Sequence, residues 1–361
     1  MTLLLDNDEL GPLIDAREFV EAEDAAYRAF AAGQGVCTPR IDLQSAPGAN
    51  GANYQLGLAL GMAGNYAALR IKSDMVFRRF VDGRPRKEKF CVEPGTYMGL
   101  VLVFDRASGE LVAILHDGLL QKMRVGADSA LGARYMSRPG SSVLAILGSG
   151  GMARAHVDTM RAVRPISSVR VFSPTAANRE AFAREIMERH GIVAVAVDDP
   201  DEACRGADIV ASCASAIGPV IFGRQLAPGM HVTCIGGTLD PEANARVDVA
   251  LRFGLAPAPA ELPDLVFTEE CLTYAEAGGK AAHGGTRRYA DVPAERRISF
   301  AELLADPARG RISDRQISFS ERGNIHGLQF AAVCGRLVEK ARAAGIGQTL
   351  DSALFLQSIR N

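Results

Sequence analysis

The chain predicts an α/β fold: a doubly wound parallel sheet beside a second α+β unit to which both chain ends contribute. Three observations carry this. Residues 143–156 hold an apolar run that stops at a glycine-rich turn and reopens as a helical pattern. Beyond them, strand and helix candidates alternate from Val169 to Ile235, the order that builds parallel βαβ units covered on both faces. Ahead of them, extended runs joined by Gly, Pro and Asn turns occupy the stretch from Thr38 to His116, the pattern of an antiparallel or mixed sheet.

In chain order, Leu3 to Leu5 reads as a short strand running into acidic helix-start residues, and Phe19 to Ala32 as an amphipathic helix that Gly33 and Gly35 end. Strands follow at Arg40–Gln44, Tyr54–Leu60, Tyr66–Ser73, Tyr97–Phe104 and Leu111–His116. The charged piece between Arg78 and Glu93 is expected as a solvated hairpin excursion. Leu119 to Tyr135 is a helix leading into the strand Val143 to Leu147. The alternation then runs Val169–Phe172, Asn178–His190, Ala194–Val197, Pro200–Cys204, Ile209–Cys213 and His231–Ile235, with Leu262–Phe267 and Phe300–Ala305 continuing it. Ile317 to Ser320 forms a last strand and Gly323 to Ala344 a long helix. That helix must bury a face holding Ile325, Leu328, Val333 and Leu337 after the parallel sheet is complete, so it is expected to return to the first unit.

At 361 residues the chain has room for two domains. Hydrophobic residues make up 48% and charged residues 23%, ordinary for a globular protein. A net charge of -2 offers no general attraction to nucleic acid or an anionic membrane. No run approaches the roughly 18 apolar residues a membrane helix needs, and the N-terminus lacks the basic start and apolar core of a secretory signal. Seven cysteines show neither a CxxC pair nor zinc-like spacing, and read as buried thiols in a reducing compartment. The expectation is a cytoplasmic protein that acts on a small molecule, with no nucleic-acid or membrane partner and no bound metal.

The turn Gly148-Ser149-Gly150-Gly151-Met152-Ala153 has the chemistry of a dinucleotide site. Gly148 permits the tight turn, Gly150 lets backbone approach a pyrophosphate, and Ala153 lets the helix pack on its strand, while free N–H groups at the helix start attract the anion. The parallel sheet is therefore expected to be Rossmann-type. About 20 positions after the third small residue such a site judges the ribose. That position is Ser173, with no Asp or Glu to accept from a free 2′-hydroxyl. Ser173, Thr175 and Arg179 suit a 2′-phosphate instead, since hydroxyls donate to it and a guanidinium matches its charge and shape. NADP(H) is favoured over NAD(H); Arg179 also has a plain reading as a solvated helix residue.

Cations stand among apolar neighbours ahead of the turn: Arg40 in Thr-Pro-Arg-Ile-Asp-Leu, Arg70 and Lys72 in Leu-Arg-Ile-Lys-Ser, and Arg124 in Gln-Lys-Met-Arg-Val-Gly-Ala. Alternation puts Arg70 and Lys72 on one strand face. Such residues are commonly surface charges. A lysine on an otherwise apolar strand nevertheless costs free energy unless it is paired, which marks a candidate site.

The order of these pieces resembles the ornithine cyclodeaminase/mu-crystallin family. The Thr-Pro-Arg40 strand comes first, then the strand-borne Lys72, the 119–127 helix entry and the 148–153 turn, followed by Gly206-Ala-Asp-Ile-Val210 and Pro228-Gly-Met-His-Val-Thr-Cys-Ile-Gly-Gly237. The resemblance implies a discontinuous substrate-binding and dimerisation domain at residues 1–128 and 321–361, a dinucleotide-binding domain at 129–320, a homodimer, and a nicotinamide cofactor. It also implies that Arg40 and Arg124 grip a substrate carboxylate and that Lys72 manages a proton at the reacting carbon. Ala214, Ser215, Gly236 and Gly237 match positions near the nicotinamide.

Departures set this chain apart. Thr238 stands where a cyclodeaminase has an aspartate that binds a distal amine, and Asp240 lies two residues on. Val125 replaces a common threonine, and the segment from Phe319 to Phe330 is unusual, so Glu321, Arg322, Asn324 and His326 are candidates for a pocket peculiar to this subgroup. The plain alternative is a helix cap by Asn324 and a hydrogen-bonded His326. His156 reads as structural.

The leading expectation is an NAD(P)-dependent oxidoreductase interconverting an imino acid, or a 2-oxo acid plus amine, and an amino acid. The alternatives are a cyclodeaminase that releases ammonia and recycles NAD internally, and a non-catalytic mu-crystallin-like protein that binds NADPH.

Overall fold

The computed structural model describes residues 1–48, 51–81, 84–216, 218–256, 266–267, 271–275 and 291–359, and at 78–81, 84–87, 266–267, 271, 275 and 322 the backbone alone. The chain opens with Thr2–Leu5 (β1), Asn7–Leu10 (α1), Ala16–Ala31 (α2), Val36–Cys37 (β2), Arg40–Gln44 (β3), Asn53–Ala63 (β4), Tyr66–Val81 (β5), Arg84–Phe90 (β6), Met98–Asp105 (β7) and Leu111–His116 (β8). Asp117–Met136 (α3) leads into Val143–Leu147 (β9), Gly151–Val163 (α4), Ser168–Phe172 (β10), Ala176–His190 (α5), Val193–Ala196 (β11), Pro200–Cys204 (α6) and Ile209–Cys213 (β12). Then come Pro219–Ile221 (β13), His231–Gly236 (β14), Thr238–Leu239 (β15), Pro241–Arg246 (α7), Val249–Gly254 (β16), Val266–Phe267 (β17) and Cys271–Ala275 (β18). Arg297–Ser299 (β19), Phe300–Ala305 (α8), Ser318–Gly323 (β20), His326–Ala344 (α9) and Gln348–Leu350 (β21) close it.

Two sheets result. One is all parallel, ordered β11-β10-β9-β12-β14-β20-β16-β19. With β9 first at its centre, this is the 3-2-1-4-5 order of a doubly wound nucleotide-binding sheet, whose ligand crevice opens where the order reverses, between β9 and β12. The other sheet is mixed, ordered β17-β18-β3-β4-β5-β7-β8-β1-β21, with β2 on β4 and β6 on β5. Its strands come from both ends of the chain, since β1 pairs with β21.

Helices fill the space between the sheets. α3 packs on α4, β14 and β20, and its small residues permit the approach. A Cβ at Gly126 would stand 2.8 Å from the carbonyl oxygen of Ala155, and one at Gly132 would collide with Ser320. α9 returns to the mixed sheet, packing on β4 and β5, and Ile325, Leu328, Val333 and Leu337 are all buried.

Two boundaries and one sheet assignment stand out as differing from the sequence reading. β5 continues past Ser73 because Met75–Val81 pairs with β6 in a hairpin. The last helix starts at His326 rather than Gly323, because β20 stays paired with β16 as far as Gly254 and Gly323, where a φ of +80° ends the strand. Val266–Phe267, read as continuing the parallel alternation, instead pairs antiparallel with β18, which joins β3 in the mixed sheet; residues 262–265 lie outside the described residues. Among the described residues no helix is long and apolar enough to cross a membrane, and no group of three His, Cys, Asp or Glu is placed to hold a metal ion.

Candidate active site

The cofactor half is built where β9 hands over to α4. Gly148 takes φ +137°, and a Cβ there would stand 2.7 Å from the Cys213 carbonyl oxygen, so only glycine fits. Gly150 caps α4 without any side-chain hydrogen bond, and nothing lies within 4 Å of where its Cβ would be. Open space therefore faces the free N–H groups of the first turn, Gly151 and Met152 among them. Ala153 is fully buried against the sheet. Ser149 Oγ donates to Ser173 Oγ at 3.0 Å, joining the turn to the end of β10.

Thr175 caps α5 with no side-chain hydrogen bond, and Arg179 donates to the Ser173 carbonyl at 3.1 Å and pairs with Asp198 beyond β11. The three residues named for the ribose thus gather at one place. The carboxylate of Asp198 joins them, a neighbour the sequence reading missed. Across the crevice, the loops after β12 and β14 interlock: Gly237 N–H bonds the Ala216 carbonyl at 3.1 Å, Ser212 Oγ donates to the Gly236 carbonyl at 2.7 Å, and Gly236 leaves no room for a Cβ against Ala214. Ser215 is exposed at the rim.

The cation half lies on the inner face of the mixed sheet. Register aligns Asp42, Gly57, Lys72 and Gly99 in one row across β3, β4, β5 and β7. A Cβ at Gly57 would stand 2.6 Å from Lys72 Cε and 2.7 Å from Asp42 Oδ1, so the glycine makes the space in which these two side chains meet. Gly99 does the same for Asp117. Lys72 is 7% exposed, with Nζ 3.1 Å from Asp74 Oδ2 and 3.4 Å from Gln55 Oε1. Arg40 grips Asp42 with two hydrogen bonds, 2.9 and 2.5 Å. Arg70 pairs with Asp117 at 2.5 Å.

Arg124 projects from α3 and is buried. It donates to Gln329 at 2.6 Å and Gln121 at 2.7 Å, and it lies 5.0 Å from the Phe330 ring, with Arg70 5.8 Å from the same ring. Gln329 is itself held, donating to the Tyr27 hydroxyl at 2.6 Å. These partners of the cations were missed, and a signal for some existed. Arg40-Ile-Asp42 and Lys72-Ser-Asp74 are i, i+2 pairs of opposite charge on strands, which places each pair on one face. Gln329 and Phe330 come from the far end of the chain, and no local pattern could bring them to Arg124.

The late-chain candidates separate. His326 is buried at the start of α9. Glu321 pairs with Arg252 at 2.6 Å, its neighbour across β16 and β20. The Arg322 side chain lies outside the described residues. Asn324 does not cap α9. It is fully buried and bonds both backbone groups of Ala256, at 2.6 and 2.9 Å. Thr238 is half-buried in β15, while Asp240 caps α7, accepting from Ala243 at 2.7 Å and Gly223 at 3.0 Å. Asp240 Oδ1 is thus engaged by the backbone at the start of α7. His156 is fully buried, bonded to the Met152 carbonyl at 2.7 Å and Ser129 at 3.0 Å, and burial holds its pKa down at about 4.

Comparison with known proteins agrees with this architecture. Residues 9–255 match the Ornithine cyclodeaminase/mu-crystallin family. The chain is similar to a Delta(1)-pyrroline-2-carboxylate reductase of Bacillus cereus, with 30% identity over 65% of this chain and 68% of the relative. Among solved structures it shares its fold with the Thermococcus litoralis Delta(1)-pyrroline-2-carboxylate reductase in complex with NADH and L-proline. There the TM-score is 0.74 at 21% identity, covering 97% of this chain and 100% of that one. An archaeal alanine dehydrogenase dimer with bound NAD gives a TM-score of 0.75 at 21% identity, covering 97% and 99%. With the family match reaching from α1 to just past β16, the chain belongs to the ornithine cyclodeaminase/mu-crystallin family.

Proposed function

We propose that Lys72, Arg124 and Arg40 carry the chemistry of this chain, which is an NAD(P)-dependent oxidoreductase interconverting an imino acid, or a 2-oxo acid plus amine, and the corresponding amino acid. The observation that carries the assignment of roles is a buried lysine in a row of glycines and carboxylates. α9 covers its sheet, and α3 joins that sheet to the cofactor turn.

The turn fits a dinucleotide, because Gly148 and Gly150 leave a cradle that a Cβ at 148 would close, with free helix N–H groups facing it. A bound nicotinamide supplies or accepts the hydride at C4. Arg124, with Arg40 as the second cation, holds the substrate carboxylate by forked hydrogen bonds and so fixes the α-carbon. Lys72 gives a proton to the nitrogen as the C=N double bond becomes single, and takes it back in the reverse direction. Asp74 and Gln55 hold the lysine Nζ in place. Ala214, Ser215, Gly236 and Gly237 line the nicotinamide end. Thr238, Glu321, Arg322 and His326 are our candidates for contact with the rest of the substrate.

NADP(H) is the preferred cofactor in this reading, through Ser173, Thr175 and Arg179. The domain division at 1–128 with 321–361, and 129–320, belongs to the same proposal, as does a homodimer. Its support is the outward face of the mixed sheet, where Leu43, Tyr54 and Met98 are exposed and Leu56, Leu58, Leu69 and Ile71 are half-buried. A reducing cytoplasmic setting suits the free thiols, which burial pushes up to about 11 at Cys37 and about 12 at Cys204. The cyclodeaminase alternative loses ground because Thr238 carries no charge and Asp240 is engaged in a helix cap. The test is oxidation of NADPH or NADH with cyclic imino acids and with 2-oxo acids plus amines. Loss of cofactor absorbance supports the reading; ammonia release from ornithine without net cofactor change overturns it.

A further inference from the structure

Lys122 sits two residues before Arg124 on α3, and on a helix residues two apart do not face the same way. Arg124 turns to Gln329 and Phe330 in the cation half. Lys122 turns instead to α4 and lays its stem across the first residue of that helix. A Cβ at Gly151 would stand 2.9 Å from Lys122 Cδ and Cε and 3.2 Å from Nζ. Gly151 does not have a left-handed φ, so its backbone conformation does not demand glycine; a side chain there would instead have to push the lysine stem aside. Among the described residues the half-buried ammonium has no ion-pair or hydrogen-bond partner. It ends beside an uncapped helix start, next to the open space at Gly150.

We infer that Lys122 is the cation that binds the pyrophosphate of the dinucleotide, reaching it from α3 rather than from the nucleotide-binding sheet. A helix N-terminus carries only about half a unit of positive charge, whereas a pyrophosphate bridge carries two negative charges. Free amides of Gly151 and Met152 with a lysine ammonium above them match that ligand better than amides alone. One helix then serves both halves of the site, Lys122 toward the cofactor and Arg124 toward the substrate. The inference rests on the dinucleotide reading above and adds a residue to it.

The test is titration of wild type, Lys122→Ala, Lys122→Arg and Gly151→Ala with NADH, NADPH, ADP-ribose and adenosine, followed by calorimetry. Thermal unfolding checks each fold. A charge-assisted contact contributes about 1.5–3 kcal/mol, so Lys122→Ala is expected to weaken NADH, NADPH and ADP-ribose alike by roughly ten- to a hundredfold. Adenosine, which lacks the phosphates, should bind almost unchanged. Gly151→Ala, which pushes the stem aside, should act in the same direction, and Lys122→Arg should recover part of the loss. Unchanged Kd values in a folded Lys122→Ala variant overturn the inference, as does a loss confined to NADPH, which would put the ammonium at the 2′-phosphate. Wild-type protein that binds neither dinucleotide overturns the cofactor reading itself, a result distinct from these.

Discussion

Gly57 and Lys72 face each other across β4 and β5, so close that a methyl group at 57 would fall 2.6 Å from the lysine Cε. Gly57→Ala is therefore expected to displace the lysine without touching the cofactor turn. A displacement near 1 Å can cost about 100-fold in rate. Steady-state kinetics should show kcat lowered at least about tenfold with the Kd for NADPH unchanged. A variant with normal kcat would mean Lys72 does not need this position. Lys72→Met should lose more, about 10²–10⁴-fold, because the proton donor itself is gone.

Arg124 meets the cation half through Gln329 and Gln121, amide oxygens that orient the guanidinium. Arg124→Lys keeps the charge but loses the fork, so it is not a conservative change here. It is expected to raise KM for the carboxylate substrate by about tenfold or more while NADPH affinity stays within about twofold. An unchanged KM would remove Arg124 from the substrate site.

Much of this arrangement was legible in the residues themselves. Much of the parallel sheet was readable because Val143–Leu147 and Val169–Phe172 are short apolar runs each followed by a full helix, Gly151–Val163 and Ala176–His190, whereas Val249–Gly254 and Arg297–Ser299, which lack that pattern, were not read. Arg40, Lys72 and Arg124 stood out because charge among apolar neighbours is rare. Asp198 beside Arg179, Gln329 beside Arg124 and Lys122 over Gly151 were not readable. Each is a contact between elements that only the packing of helices on sheets brings together. Asn324 misled for a related reason: its type suits a helix cap, but a buried backbone at Ala256 needed its amide more.

Arg179 pairs with Asp198 beside Ser173, one of the residues proposed to judge the ribose. A 2′-phosphate would compete with Asp198 for the guanidinium, and removing the carboxylate should free it. Asp198→Asn is expected to tighten NADPH several-fold relative to NADH, and Arg179→Ala to weaken NADPH about tenfold or more with little effect on NADH. Equal effects of Arg179→Ala on both cofactors, in fluorescence titrations, would refute the NADP preference.

His156 links the cofactor helix to α3 as a neutral ring. Its folded pKa, about 4, lies below the unfolded value near 6.5, so the unfolded chain binds more protons between those values. Its contribution is full above about pH 6.5 and is lost as pH falls toward 4. The loss is on the order of 3 kcal/mol. Burial pushes His231 in the same direction. Urea unfolding across this range should show stability rising with pH, and His156→Asn should flatten the slope while lowering stability at pH 7. A wild-type curve flat from pH 4 to 6.5 would contradict the neutral, buried assignment.

In the proposed reaction hydride would pass between nicotinamide C4 and the α-carbon of a substrate held by Arg124 and protonated by Lys72. Incubation with NADPH or NADH deuterated at C4 and an imino acid, followed by mass spectrometry and NMR of the product, tests it most directly. The expected product is an amino acid carrying deuterium at its α-carbon, formed in step with oxidised cofactor and lost in Lys72→Met. An amino acid without deuterium, or ammonia released while the cofactor pool stays unchanged, would contradict it.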